Sequence, residues 1–401
     1  MIKFEVSAPG KIILFGEHAV VYGKTAVATS LNLRTIIKFT ELRKSQDLKN
    51  IIKIEFPDIK LFFNLPFYVF QNYFFNDNFN YPLVKENNQL HSCVSDFLDS
   101  IENLTDKSND EIITEKQKLS LRAFFYLLVY IAYEERINIK ETSFHVHLAT
   151  ELKVGTGLGS SASFAVCLAA CFLHWSLLQK GNHFTFNMEE LDKISKYALN
   201  CEKIMHESPS GIDNSVCTYG SVIKFQQKEL VDMLPHMSNL KILLVNSNIT
   251  RSTKDQVKRA AHLKNLYPEI ITPVLDSIDA LSQNAWEILT EMSNNADKAT
   301  ESMENDCYLL MYTLQVLIHT NQGLLIALDV SHPTLETICA MAWTHSYAGK
   351  LTGAGGGGYA YILLPSNTES ESINLFSQQL EEKGFDVTMT SLGGSGVKIE
   401  H

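Results

Sequence analysis

The most informative stretch of the chain runs from Val154 to Ser163 and reads VGTGLGSSAS. Its three alternate glycines let a ligand approach the backbone closely, and the alanine-rich apolar residues 164–178 predict that a helix follows. The first turn of a helix presents unpaired N–H groups and the positive end of the helix dipole. The stretch is therefore typical of a phosphate-binding loop. A loop that only connects a strand to a helix is also compatible with this sequence.

Two common nucleotide-binding loops fit this stretch poorly. No Gly-Lys-Ser/Thr triplet closes it, as a P-loop requires. Residues 157–162 match the Gly-x-Gly-x-x-Ala pattern of dinucleotide-binding folds, but those folds need a second strand that ends in an acidic residue about 20 residues on. Here a polar loop leads instead into another predicted helix at residues 188–205. Phosphate binding without a dinucleotide is the better interpretation.

Composition limits the class of protein. The chain has 401 residues, of which 45% are hydrophobic and 20% charged, and a formal net charge of −11. This acidic balance argues against a nucleic acid or an anionic membrane as the main partner. The 7 cysteines show no Cys-x-x-Cys spacing, and no apolar run reaches the roughly 18 residues that a membrane-spanning helix needs. We expect a reduced, cytoplasmic protein.

The order of predicted elements indicates an α+β fold, because strands and helices alternate irregularly. A chain of this length is expected to form two domains, and the polar residues 226–240 are the candidate linker. We therefore expect domains at residues 1–230 and 231–401. The aromatic-rich residues 67–79 are expected to form a loop or strand packed on the core.

Two histidines, His145 and His147, share one face of a predicted strand at residues 143–148. Paired imidazoles suggest a metal site. No acidic or cysteine partner lies near them in the sequence, so a half-buried strand is the simpler interpretation.

A second cluster of special residues runs from Ser7 to Gly23 and reads SAPGKIILFGEHAVVYG. Pro9-Gly10 predicts a turn that delivers Lys11 to the head of an apolar strand. There its ammonium can offset negative charge on a transferred phosphoryl group, whereas a solvated lysine at a strand end is the alternative. Glu17 and His18 then supply an acid and an imidazole.

Two further clusters lie in the second half of the chain. Residues 202–214 read EKIMHESPSGIDN; Asp213 can accept a hydroxyl proton and Glu202 can coordinate a divalent cation, although Asp213 also fits an Asx turn. Residues 350–358 read KLTGAGGGG. Four consecutive glycines are entropically costly, so we expect a ligand or another backbone to approach them closely.

Together these segments resemble the galactokinase, homoserine kinase, mevalonate kinase and phosphomevalonate kinase (GHMP) superfamily, and they are most similar to its mevalonate kinase branch. The first and second motifs are SAPGK…GEHAVVYG and GTGLGSSA. PSGIDN carries the acid, and KLTGAGGGG is the third motif. The resemblance implies a two-lobed GHMP kinase fold, with an N-terminal α/β lobe that contains a mixed sheet, a C-terminal α+β lobe and the active site in the cleft between them.

The resemblance also implies transfer of the γ-phosphoryl group of ATP to the C5 hydroxyl of mevalonate, with Mg²⁺. It places Asp213 at the catalytic base, Lys11 at its paired lysine, and Ser161 and Glu202 at the Mg²⁺ ligands. The implied triphosphate loop comprises Gly155, Thr156, Gly157, Leu158, Gly159, Ser160 and Ser161. Thr150 and Asp58 fall near the nucleotide, and Glu17, His18 and Thr253 fall on the mevalonate side.

Some properties implied by the resemblance concern regulation and assembly, namely a homodimer and feedback inhibition by prenyl diphosphates. One departure from the family pattern is Glu207, which adds a carboxylate near the expected site. Two alternatives stay open from the sequence. The chain fits a sibling kinase for phosphomevalonate or a sugar, and also an inactive nucleotide-binding sensor.

Overall fold

The computed structural model describes residues 1–42, 50–86, 88–102, 113–139, 143–153, 155–205, 211–227, 229–234, 240–250, 252–295 and 301–400. The strands are β1 (Lys3–Phe15), β2 (Ala26–Glu41), β3 (Ile51–Phe56), β4 (Leu61–Pro66), β5 (Phe144–Thr150), β6 (Val222–Gln226), β7 (Glu229–Leu234), β8 (Lys241–Asn246), β9 (Ala348–Leu351), β10 (Tyr359–Leu364), β11 (Asp386–Ser391) and β12 (Lys398–Glu400). The helices are α1 (Phe67–Phe74), α2 (Tyr81–Glu86), α3 (Leu90–Glu102), α4 (Glu115–Glu134), α5 (Ser160–Lys180), α6 (Met188–Met205), α7 (Ile212–Tyr219), α8 (Thr253–Leu266), α9 (Pro268–Asn295), α10 (Glu301–Ala327), α11 (Pro333–Thr344) and α12 (Ser370–Glu382).

These strands form two sheets. The first has 8 strands, with β12-β1-β2-β5-β3-β4 in order and β6 and β7 continuing from β2. It is mixed, because β3 and β5 run parallel while the neighbouring pairs are antiparallel. The second sheet has 4 antiparallel strands in the order β11-β8-β10-β9. The expected α+β class is confirmed, and the last strand of the chain returns to the first sheet beside β1.

The core of the first sheet is built around α5, which packs on β1, β2, α4 and α6. Its buried residues lie on all sides of the helix, as expected for a helix enclosed by other elements. Helix α4 begins with a capping box in which the Thr114 hydroxyl accepts from the Gln117 N–H and the Gln117 side chain accepts from the Thr114 N–H. Both helices are therefore fixed in place beside the sheet.

Helix α5 corrects one expectation from the sequence. It is long and apolar enough to cross a membrane, with a mean hydropathy of 1.7 over the tested window. However, 78% of that window is buried inside the protein, as in the core helix of a folded domain.

Three local expectations differ in part from the structure, although the aromatic segment does pack on the core as expected. Pro9-Gly10 forms no turn, because β1 runs straight through these residues with a bulge between Pro9 and Lys11. The aromatic segment forms helix α1, which buries Phe67, Phe70 and Phe74 on one face. The expected linker contains strand β7, which pairs with β6 in the first sheet.

Candidate active site

The glycine-rich loop connects strand β5 to helix α5 and is fastened to strand β1. Gly155 and Gly159 have φ values of +84° and +74°, which favour glycine because other residues rarely adopt the left-handed region. The backbone N–H of Lys11 donates to the Leu158 carbonyl at 2.9 Å. This contact holds the loop against the strand that carries Lys11, at the point where α5 begins.

Lys11 and Asp213 form an ion pair beside this loop. Asp213 lies in the first turn of α7, and Lys11 Nζ lies 2.9 Å from its Oδ1 atom. The Lys11 side chain is 5% exposed, whereas that of Asp213 is 37% exposed. The lysine is therefore held inside the protein while the carboxylate stays open to a ligand.

Glu202, near the end of helix α6, adds a second carboxylate to this region and is buried. Burial and, to a lesser extent, the nearby charge of Asp213 raise the pKa of Glu202, Lys11 opposes both effects, and the resulting pKa is about 8. Two carboxylates close enough to influence each other, one of them buried, favour a cation beside them. The donor set of Glu202, Asp213 and the Ser161 hydroxyl consists of hard oxygen ligands.

A cavity of about 490 Å³ lies over the loop. Its lining includes these residues expected from the sequence: Asp58, Thr150, Gly155, Gly157, Gly159, Ser160, Ser161, Asp213 and Thr253. The structure thus brings together residues from β5, the loop, α7 and α8. Thr253 is the first residue of α8, which follows strand β8 of the second sheet.

Two of the expected nucleotide contacts are bonded to each other in the cavity wall. The Thr150 N–H donates to Asp58 Oδ2 at 2.8 Å. The Thr150 hydroxyl also shares a 2.9 Å hydrogen bond with the Thr35 hydroxyl. The first bond joins the turn after β3 to the end of β5, and the second joins β5 to β2.

Glu17 does not line this cavity in the part of the chain that the structure describes. Its carboxylate is fully buried, forms an ion pair with Lys350 and accepts from the Asn321 amide at 3.3 Å. Burial raises the pKa of Glu17 and lowers the pKa of Lys350, while the pairing opposes both shifts. Its carboxylate therefore joins the first and third motifs, and the role of Glu17 toward mevalonate stays a prediction.

His18 is also tied to the third motif. Its Nε2 atom lies 2.9 Å from the Ala354 carbonyl, and its backbone has a φ of +60°. This conformation is uncommon for a side chain larger than glycine, and it shows that the surrounding contacts determine the loop. The role of His18 toward mevalonate stays a prediction.

The four-glycine run approaches another backbone. A Cβ atom at Gly357 would lie 2.6 Å from the Ile249 carbonyl oxygen, and one at Gly355 would overlap the Val330 carbonyl oxygen. The Gly356 N–H donates to that same Val330 carbonyl at 2.8 Å. The expected close approach is therefore confirmed as one between segments of this chain.

The comparisons with known proteins agree with these motifs. A family profile described as "GHMP kinases N terminal domain" matches residues 125–221. The chain is 34% identical to the mevalonate kinase of Homo sapiens over 400 residues, covering 98% of this chain and 94% of the human protein. It is 33% identical to the mevalonate kinase of Candida albicans, covering 99% of this chain and 90% of that protein. The chain belongs to the mevalonate kinase family.

Solved structures show the fold of this family over the whole chain. The mevalonate kinase of Methanococcus jannaschii superposes with a TM-score of 0.69 at 21% identity, covering 98% of this chain and 99% of that one. An L. major mevalonate kinase in complex with R-mevalonate gives a TM-score of 0.66 at 18% identity, with 98% and 96% covered. The GHMP kinase fold expected from the motifs is confirmed.

Sequence reasoning missed part of the cavity wall of this mevalonate kinase family member. The additional lining residues are Thr35, Phe56, Ile59, Lys116, Leu119, Ser120, Leu148 and Phe164. Lys116 and Ser120 lie one helical turn apart at the start of α4, which carries no recognisable motif. The first turn and a half of α4 is mostly polar, so nothing in its sequence singled out these two residues. Glu207 and Val154 lie outside the described residues.

Proposed function

We propose that the protein is an ATP-dependent kinase that transfers the γ-phosphoryl group to the C5 hydroxyl of mevalonate. The observation that carries this proposal is the Lys11–Asp213 ion pair beside the glycine-rich loop. Phosphoryl transfer depends mainly on positioning and on stabilising negative charge. This site offers an acceptor for the hydroxyl proton, a fixed ammonium and a loop of backbone N–H groups.

Asp213 acts as the general base in this proposal. The C5 oxygen attacks the γ-phosphorus, the bond from phosphorus to the bridging oxygen of ADP breaks, and the hydroxyl proton passes to the Asp213 carboxylate. Lys11 keeps that carboxylate oriented through the 2.9 Å contact and places positive charge near the transferred group. Because Lys11 is almost fully enclosed, its charge is little screened by water.

The glycine-rich loop binds the triphosphate of ATP. Residues 155–161 lead directly into α5, so their N–H groups and the helix terminus favour phosphate oxygens. Gly155, Gly157 and Gly159 line the cavity together with Ser160 and Ser161. The support for triphosphate binding is the position of the loop at the start of α5, and ATP is the phosphoryl donor that the family resemblance implies.

Mg²⁺ is the cofactor that this donor set fits. Ser161 and Glu202 would hold it. Burial and the neighbouring Asp213 disfavour the ionised form of Glu202, and a bound cation would stabilise that form. When bound with ATP, Mg²⁺ neutralises charge on the β- and γ-phosphate oxygens.

The remaining cavity accommodates the rest of the nucleotide and the acceptor. Apolar side chains, Phe56 and Phe164 among them, line it beside Asp58 and Thr150, a mixture suited to a nucleoside. Thr253 lines the same cavity, and we assign Thr253 and His18 to the mevalonate side.

A panel of acceptors tests the proposed function. Purified protein is incubated with Mg·ATP and mevalonate, phosphomevalonate or galactose, and the products are identified by mass spectrometry. We expect 5-phosphomevalonate from mevalonate alone. Turnover of phosphomevalonate or galactose without mevalonate would show a sibling kinase, and ATP binding without any turnover would show a nucleotide sensor.

Further proposals rest on the family resemblance. They are a homodimer and feedback inhibition by prenyl diphosphates. The division into domains at residues 1–230 and 231–401 and the cytoplasmic location rest instead on chain length and composition, and they are proposals too. Inhibition that is overcome by raising the ATP concentration would support binding of the prenyl diphosphate in the ATP cavity. Analytical ultracentrifugation tests the dimer.

A further inference from the structure

Three potential metal ligands lie together on the first sheet, away from the candidate active site. Strands β3 and β5 run parallel, with Lys53 opposite His145 and Glu55 opposite His147. Side chains alternate between the two faces of a strand, and the intervening Ile54 and Val146 are buried in the core. Glu55, His145 and His147 therefore share the face of the sheet that points away from that core.

The ligand atoms of these side chains lie at distances close to those in a metal site. His145 Nε2 lies 2.9 Å and His147 Nδ1 3.3 Å from the same atom, Glu55 Oε2. All three ligand atoms lie within 4.8 Å of one another. In a tetrahedral zinc site with bonds of about 2.0–2.1 Å, neighbouring ligand atoms are about 3.3 Å apart. The separations in this cluster therefore lie within about 1.5 Å of the value for a zinc site.

The cluster is reachable from solvent and chemically ready to bind a metal. The side chains of Glu55, His145 and His147 are 21%, 25% and 35% exposed, so a metal can enter and keep a water as its fourth ligand. Burial lowers the pKa of His145, with Glu55 opposing that shift, which favours the neutral imidazole that binds metals. The Lys53 hydrogen bond lowers the pKa of Glu55 to about 2, so this ligand is ionised.

Two lysines on this face of the sheet oppose a cation. One is Lys38 of β2, which lies opposite His147 and pairs with Glu5 at 3.4 Å; the other is Lys53. Its Nζ atom lies 2.8 Å from Glu55 Oε1, which leaves Oε2 directed at the two imidazoles. A hydrogen bond to the second oxygen orients a ligating carboxylate, as outer groups do in known metal sites. Its positive charge lowers the affinity, but it is partly exposed and therefore screened.

We propose that Glu55, His145 and His147 form a binding site for a divalent transition-metal ion, with zinc as the best match. Two imidazole nitrogens and one carboxylate suit zinc better than magnesium, which prefers oxygen ligands. The bound ion joins β3 to β5. Each strand reaches the cavity wall within three residues, at Asp58 and Thr150, whose hydrogen bond is 2.8 Å long. The metal therefore stabilises that wall.

Zinc binding is measured by equilibrium dialysis in excess Mg²⁺, which occupies the hard oxygen ligands of the active site. The wild type is compared with a His145→Ala/His147→Ala double variant. His262→Ala, which removes an exposed histidine of α8, is the matched control. We expect the wild type and the control to bind one more zinc equivalent than the double variant, and zinc to raise their thermal unfolding midpoints.

A second variant, Glu55→Gln, keeps the side-chain shape and leaves both histidines in place. We expect it to weaken zinc binding by about tenfold or more, and we expect zinc to raise its unfolding midpoint, relative to the same variant in chelator, by less than it raises that of the wild type. Circular dichroism in chelator checks that each variant is folded. Equal zinc stoichiometry and affinity in the wild type, the double variant and Glu55→Gln would overturn the proposal.

Discussion

Lys11 Nζ lies 2.9 Å from Asp213 Oδ1, although the two residues come from different elements, strand β1 and helix α7. The same lysine donates its backbone N–H to Leu158 in the glycine-rich loop. One residue thus connects the phosphate loop to the proposed base. A substitution that displaces the Lys11 side chain is therefore expected to lower kcat more than it lowers the stability of the fold.

Gly159→Ala tests this connection. A Cβ atom at Gly159 would lie 2.7 Å from Lys11 Cγ, and the φ of +74° is unfavourable for alanine. We expect the free energy of unfolding to fall by about 1–2 kcal/mol and kcat to fall more than tenfold, because the lysine must move away from Asp213. Denaturant unfolding and steady-state kinetics measure the two effects.

Gly155→Ala is the matched control for that change. Gly155 has a φ of +84°, and a Cβ atom there would meet nothing within 4 Å. It should lose a similar amount of stability but retain more activity. Equal losses of kcat in the two variants would show that the strain in the loop, and not Lys11, accounts for the effect.

Lys350→Met tests the buried ion pair between the first and third motifs. Lys350 and Glu17 are both fully enclosed, and removing one partner leaves an unpaired buried charge. We expect a loss of about 3–5 kcal/mol in the free energy of unfolding. The Glu17→Gln/Lys350→Met double variant should recover much of it, as a double-mutant cycle by urea unfolding would reveal. Purely additive losses would contradict the account.

Glu202 gives the metal-free protein a specific pH dependence. Its pKa is raised from 4.5 to about 8 by burial, so the native state binds the proton more tightly than the unfolded state. The free energy of unfolding should therefore decrease as pH rises from about 4.5 to 8, by an amount on the order of 5 kcal/mol. Urea unfolding in chelator at several pH values measures this decrease.

Glu202→Gln should remove that part of the pH dependence and make the metal-free protein more stable than the wild type at pH near 8. Glu189→Gln, at an exposed position on the same helix, controls for the loss of one carboxylate. Parallel pH profiles for the wild type and Glu202→Gln would show that Glu202 is not the titrating group.

The sequence predicted the catalytic chemistry better than the local geometry. Lys11, Asp213 and the glycine-rich loop lie in short motifs whose residue types are tied to phosphate chemistry. Their meeting at one cavity follows once the family is recognised. The expected turn at Pro9-Gly10 was wrong because these residues form a bulge within β1, and the strand continues through them.

Contacts between distant segments account for the other differences. Glu17 and Lys350 lie far apart in the sequence, and no nearby residue predicts that they pair. The ion pair in which the Glu17 carboxylate is buried is therefore evident only from the fold. His145 and His147 lack an acidic neighbour along the chain, whereas the parallel pairing of β3 with β5 supplies Glu55. Strand β7 was not predicted, because its residues are mostly exposed and do not alternate between apolar and polar side chains.

The most direct test of the proposed mechanism compares mevalonate turnover by the wild type and Asp213→Asn at saturating Mg·ATP. Asparagine keeps the shape of the side chain but is a much poorer proton acceptor, so we expect kcat to fall by about 10²–10⁴-fold. ATP affinity, measured by calorimetry, should be nearly unchanged. Wild-type turnover in Asp213→Asn would contradict the assignment of Asp213 as the base.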